Sequence, residues 1–198
     1  MKTISSHLML AVVALGLVAM GCESGGVGDP CIPEDEYNPQ FSGFSLEEVN
    51  VESRSFQCET RVCLVNKFRG RVSCPYGATN LEPSGGTDPR CPIPGTDPKS
   101  TDDVDKVKVQ VEAQYKGRRE DKAVYCSCRC ANAQGSTDDG ANYCECPSGF
   151  SCEKLVDDVG LGGTQLAGSY CVREGTNVPE KGEVCAASTE NCPKKYDY

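Results

Sequence analysis

The chain has no tryptophan, and its aromatic residues are limited to five phenylalanines and eight tyrosines among 198 residues. So little ring surface leaves a large apolar core hard to fill, and folding must draw on another source of stability. Histidine is nearly absent as well. The single one, His7, lies in the N-terminal apolar leader and is lost if that leader is removed. A body without histidine cannot use a Ser-His-Asp or Cys-His catalytic pair, and it cannot bind zinc through imidazole. Positive charge is scarce too: 20 Lys and Arg stand against 29 Asp and Glu, a formal net charge of −9. An acidic chain argues against nucleic acid as a partner, because phosphates reward Lys and Arg. The small basic blocks, Arg118-Arg119 and Lys194-Lys195, read as solvated charge pairs. The C-x₂-C spacing favoured by zinc sites is missing.

What the chain has in quantity is cysteine, 15 in all. Six of them fall in Tyr125–Cys152, as C-x-C-x-C (Cys126, Cys128, Cys130), C-x-C (Cys144, Cys146) and a closing Cys152. The front of the chain supplies the compartment. Lys2 is a positive start, and Leu8–Met20 is an uncharged apolar run. It is too short to span a bilayer, which takes about 20 residues, but it suits the apolar region of a secretory signal. Cysteine at this density in an exported chain implies a covalently stapled module.

The run ends in Val18-Ala19-Met20-Gly21-Cys22. This resembles the signal of bacterial lipoproteins, in which a small residue and an obligatory cysteine follow an apolar stretch. Ala19 stands where Leu is commonest, and Met20 is unusual. The resemblance implies that residues 1–21 are cut away and that Cys22 carries the lipid. Glu23, where some bacteria use Asp as an inner-membrane retention signal, favours the outer membrane. Several acyl chains together hold a protein stably where one does not, since each buried CH₂ contributes about 0.8 kcal/mol. Glu23–Asp29 is glycine-rich and reads as part of a flexible tether over 22–30.

With Cys22 set aside, 14 cysteines remain: Cys31, Cys58, Cys63, Cys74, Cys91, Cys126, Cys128, Cys130, Cys144, Cys146, Cys152, Cys171, Cys185 and Cys192. The even number permits seven disulfides with no thiol left over. A bridge closing a loop of about 15 residues is worth on the order of 3 kcal/mol in the chain-entropy account, so seven can stand in for a large core.

Along the chain, residues 31–76 read as a first stapled β block. Val49–Cys58 and Arg61–Phe68 are strands, and Arg71–Cys74 is a short third. Residues 77–103 carry five prolines and read as a linker through which no sheet can run. Residues 104–173 form a second cysteine-rich β module. In it Val107–Tyr115 alternates strictly and is expected to pair as a hairpin with Lys122–Cys130. Cysteines two apart on that strand point the same way, too far apart to bond one another, so each needs a partner elsewhere. A third strand is expected at Asn142–Cys146, a helical turn at Glu153–Val159 and a last strand at Leu166–Val172. Residues 174–198 are a tail pinned by Cys185 and Cys192. Cys144–Cys152 resembles the end of an EGF-like module, although the upstream triple does not fit that family.

Parity adds one expectation. Four cysteines precede the proline segment and nine follow it, so at least one bridge must tie the nine to Cys91 or to the first block. The simplest solution pairs the four locally and sends Cys91 to the second module.

Other chemistry is weaker. Thiolates of the C-x-C-x-C run could hold copper or zinc, but export favours disulfides. Asp138-Asp139 and Asp102-Asp103-Asp105 lack the calcium-loop pattern and read as solvated carboxylates.

The expectation is therefore a small, disulfide-rich, mainly β protein of short antiparallel hairpins and long loops, with little helix outside the signal. No cofactor, metal or catalytic residue is assigned, and an enzyme is not expected. The partners are the membrane, through the lipid at Cys22, and other envelope or surface proteins. The function is that of a structural or interaction lipoprotein; the alternative is a thiol-active or metal-handling one. In lipobox, size and cysteine density the chain resembles the outer-membrane lipoproteins of gliding soil bacteria, which implies a role in contact-dependent gliding motility.

Overall fold

The computed structural model describes residues 25–84, 88–158, 160, 165–177, 181–188, 190 and 192. The leader and Cys22 lie outside these. Strands β1 (Val49–Glu52), β2 (Val62–Asn66) and β3 (Val124–Ser127) form an antiparallel sheet in the order β1-β2-β3. Strands β4 (Arg129–Ala131), β5 (Phe150–Val156) and β6 (Gly168–Arg173) form a second antiparallel sheet in the order β4-β6-β5. Among the described residues helix is confined to single turns: α1 (Glu120–Ala123) and 3₁₀ turns at Glu34–Tyr37 and Asp103–Asp105. The fold is mainly β and disulfide-rich, as composition implied.

β2 is buried on both faces, which its sequence Val-Cys-Leu-Val-Asn permits at almost every position. Cys63 and Val65 face a core made with Phe44, Phe68, Val72 and Val124. Leu64, on the opposite side of the pleat, packs with Tyr125 of β3 and Val172 of β6. That second cluster is where the two sheets meet. Tyr125 is fully buried, lies edge-on to Phe150 at 5.5 Å, and its hydroxyl accepts from the Arg173 amide at 2.9 Å. The Ser127 hydroxyl donates to the Cys171 carbonyl at 2.8 Å, a second tie across the same junction.

The pairing is Cys31–Cys63, Cys58–Cys126, Cys74–Cys91, Cys128–Cys144, Cys130–Cys152, Cys146–Cys171 and Cys185–Cys192. Each member of the C-x-C-x-C run has a different distant partner, as strand geometry requires. Parity is met by Cys58–Cys126, so the route expected for Cys91 is not taken: Cys91 closes locally on Cys74. The reason is register. β2 and β3 are neighbours, Cys63 lies opposite Cys126, and this brings Cys58, in the β1–β2 connection, within reach of Cys126. The proline segment instead folds onto its own continuation. Val107 donates to the Cys91 carbonyl, Ile93 to that of Asp105, and Cys74, Ala78, Cys91, Ile93, Val107 and Val111 form a small core of their own.

Several expected elements take another form. Val107–Tyr115 is not a hairpin strand. Val107 and Val111 are buried as the alternation requires, but among the described residues the segment makes only isolated bridges, Ala78↔Val111, Tyr115↔Arg118 and Tyr115↔Val184. Its neighbour is proline-rich and cannot supply a continuous row of donors. Arg71–Cys74 closes on itself as one bridge. Asn142–Cys146 is irregular, and Glu153–Val156 belongs to β5 rather than to a helical turn. The expected strand Lys122–Cys130 is divided between α1, β3 and β4, so the two expected modules share the first sheet. Residues 25–29, read as tether, are bonded to the body. Gly25 donates to Gln57 and accepts from Glu59, and Gly28 donates to Cys126, whose amide donates to Asp29.

A buried ion pair fixes the loops beneath the first sheet. Glu36 and Arg71 are both fully buried. The Glu36 carboxylate accepts from the amides of Val72 and Ser73 at 2.5 and 2.9 Å and from the Ser73 hydroxyl at 2.6 Å. The Arg71 guanidinium donates to the carbonyls of Glu36, Asn38 and Phe41 and stands 3.9 Å from the carboxylate. Burial pushes the Glu36 carboxyl up from its ordinary range, and the Ser73 bond and the Arg71 charge pull it back. The chain turns away at Gly70 (φ +86°), where a Cβ would strike the Glu112 carbonyl oxygen. Glu36→Ala is expected to cost roughly 3–5 kcal/mol, because it leaves a buried guanidinium unpaired. Thermal unfolding should show this as a large fall in midpoint, with Glu47→Ala, whose partner Lys181 is exposed, staying near wild type.

Candidate functional site

Two features have the geometry of a site. The first is a cleft of about 790 Å³ between the N-terminal arm and α1. Gly28, Pro30 and Ile32 form one wall, Glu120, Asp121 and Lys122 the other, Cys31, Val72 and Val124 the floor, and Arg173 one end. The arm stands there because its amides are bonded to β3 and to the β1–β2 connection. The floor is apolar because those three residues belong to the first core.

Two polar groups of the cleft each keep one atom without a hydrogen-bond partner. The Glu120 Oε2 and Arg173 Nε atoms are buried without a hydrogen-bond partner. Burial raises the Glu120 carboxyl above its ordinary range, outweighing a bond from its own backbone amide and one from the Gln114 side chain. The Arg173 guanidinium lies over the Phe150 ring at 4.8 Å and the Tyr125 ring at 5.5 Å, and it donates to the Gly28 carbonyl at 3.4 Å. An apolar floor ringed by the Glu120 and Asp121 carboxyls, Lys122 and the Arg173 guanidinium is suited to binding an amphipathic group. Sequence reading passes over both residues. Glu120 sits in what looks like a polar turn, and Arg173 ends a strand with nothing beside it to set it apart.

The second feature is sulfur. Cys128, Cys130, Cys144, Cys146, Cys152 and Cys171 pair into three bridges that touch one another. The Cys171 Sγ lies 3.6 Å from that of Cys128 and 3.7 Å from that of Cys144, neither of them its own partner. The Cys130, Cys146 and Cys171 sulfurs lie within 4.8 Å of one another, and so do those of Cys31, Cys58 and Cys126. These sulfurs are tied up in disulfides, whereas a soft metal is held by thiolates. Cys74–Cys91 and Cys185–Cys192 stand apart from both clusters.

The acidic runs weighed for calcium are used internally. Asp103 pairs with Arg90 and Lys108, and Asp105 accepts from the Ser100 hydroxyl at 2.6 Å. The Asp139 carboxylate accepts from the Tyr143 hydroxyl at 2.7 Å, the Asn132 amide at 3.0 Å and the Ala141 backbone at 3.1 Å. These bonds, led by Tyr143, draw its carboxyl down to about 2.

A depressed carboxyl stabilises the loop above its unfolded value near 4 and ceases to do so as pH falls through about 2. Carbon-detected titration of Asp139 should give a midpoint near 2, and Tyr143→Phe should move it upward. A midpoint near 4 in the unaltered protein would contradict the bonding described.

No protein-family model, curated protein or solved structure matches the chain.

Proposed function

We propose that the protein is a cell-envelope lipoprotein, held to the outer membrane through Cys22, whose disulfide-locked body docks another envelope or surface protein. The observation that carries this reading is the arm. Gly25 is already bonded into the body, and only two residues, Glu23 and Ser24, separate it from Cys22. The three steps from Cys22 to Gly25 reach about 10 Å at full extension. A lipid at Cys22 would therefore hold the body against the bilayer, with the cleft walled by Gly28 and Pro30 close to the membrane surface. Seven bridges suit a part that must keep its shape outside the cell's reducing interior. The finer proposal, from the resemblance to lipoproteins of gliding bacteria, is that the docked partner belongs to a motility assembly.

A second reading, a thiol-active envelope lipoprotein, is favoured by the packing of the Cys171 sulfur against a bridge that is not its own.

Cys22→Ala is expected to leave the precursor uncut or release the protein. A variant that still sediments with membranes in detergent-free buffer would overturn the anchor. A clean deletion is expected to impair single-cell gliding while leaving the envelope intact, scored by cell tracking and by resistance to detergent. Normal gliding in the deletion strain would remove motility from the proposal and leave the anchor standing.

A further inference from the structure

Cys152 is the one cysteine among the described residues that is exposed, and it lies on β5, an edge strand of the second sheet. Its partner Cys130 is buried, at the register shift between Arg129 and Ala131 where β4 leaves its ladder with β6. Behind that bridge are the Cys146–Cys171 and Cys128–Cys144 pairs, with the contacts at 3.6 and 3.7 Å given above. An accessible disulfide backed by two others in sulfur contact is an arrangement for thiol–disulfide exchange, which needs an attacking thiolate at a neighbouring sulfur.

We propose that Cys130–Cys152 is a redox-active bridge, entered by a dithiol protein partner, and that the sulfurs behind it relay the exchange inward and out again. The proposal deepens the thiol-active reading. A partner thiolate attacks the Cys152 Sγ, a mixed disulfide forms, and Cys130 leaves with the bonding electron pair. The Cys130 thiolate attacks the Cys146–Cys171 bond, joins Cys146 and expels Cys171. The Cys171 thiolate attacks the Cys128–Cys144 bond, joins Cys128 and expels Cys144. The partner's second thiol then resolves the mixed disulfide and frees Cys152. The partner's dithiol becomes a disulfide, losing two electrons and two protons. This protein gains one pair of thiols, at Cys152 and Cys144. Desolvation sets the direction. A thiolate on buried Cys130 or Cys171 is penalised, whereas Cys144 is only half-buried. Reduction at the edge therefore reappears as a thiol at a second position, with the bridges between them re-paired.

The test uses the full chain purified in detergent, with one equivalent of dithiothreitol as the dithiol probe, acid quenching and alkylation. Cleavage at Arg129, after acidic residues and at Phe150 separates all six cysteines. The expected result is early label on Cys152 and Cys144 in equal amounts, with Cys130 recovered joined to Cys146. Label on Cys130 and Cys152 alone, with the other two bridges unchanged, overturns the relay. Label appearing first on Cys185 and Cys192 overturns entry at Cys152 while leaving the thiol-active reading standing. No label at one equivalent overturns both. A Cys130→Ala/Cys152→Ala double variant with unaltered circular dichroism should open its Cys128–Cys144 and Cys146–Cys171 bridges at least about tenfold more slowly. An unchanged rate overturns the relay by a route that does not depend on peptide mapping.

Discussion

Residues 124–131 form one extended run that belongs to two sheets, and most of the architecture depends on it. β3 is the third strand of the first sheet and β4 the first of the second, with only Cys128 between them. The run alternates, so Val124 and Cys126 enter the first core while Tyr125 enters the junction with β6. Each cysteine along it is tied to a different part of the chain: Cys126 to the β1–β2 connection, Cys128 to the irregular loop before β5, and Cys130 to β5 itself. Three cross-links from one strand hold the two sheets in a fixed relation that two small cores would not secure by themselves. In the unfolded state the same links confine residues separated by 68, 16 and 22 positions.

Polar groups supply the order that the missing aromatics do not. Glu36 and Arg71 bind the backbone of each other's loops, so the pair acts as a set of caps for irregular chain. Arg118, also buried, donates to the carbonyls of Asn66 and Lys67 where β2 ends. Buried carbonyls and amides need partners wherever the ladder stops, and long side chains with several donors can serve several at once. A protein that is mostly loop meets this need through charged side chains turned inward. The cost of desolvating them is offset because nearly every donor and acceptor is used.

The cleft and the sulfur cluster are both built on the same run. The arm that walls the cleft is bonded to Cys126, and the cluster begins at Cys128. Arg173, at the end of β6, reaches the arm's Gly28, and Cys171, two residues earlier, lies at the centre of the sulfur contacts. A change of pairing at Cys171 would act on the strand that carries Arg173, which gives the two features a covalent connection.

The sequence by itself determined the class of protein: mainly β and stapled by paired cysteines. Those properties follow from composition and from local pattern: partial alternation in Val49–Cys58, β-forming residues in Arg61–Phe68 and an apolar run at Leu166–Val172. It also determined that Cys126, Cys128 and Cys130 must look outward for partners, because strand geometry is local. Which partners they take was decided only by tertiary structure. Parity allowed Cys91 or any of the first four cysteines to cross between the halves, and the choice of Cys58 came from β2 and β3 lying side by side. Val107–Tyr115 has a strand's pattern but not a strand's neighbour, since pairing needs donors on a second segment and the adjoining one is rich in proline. Glu120 and Arg173 carry no local signal because their importance lies in what surrounds them. Burial, an unmet hydrogen bond and a shared cleft are properties of residues far apart in the chain, and they exist only once the chain has folded.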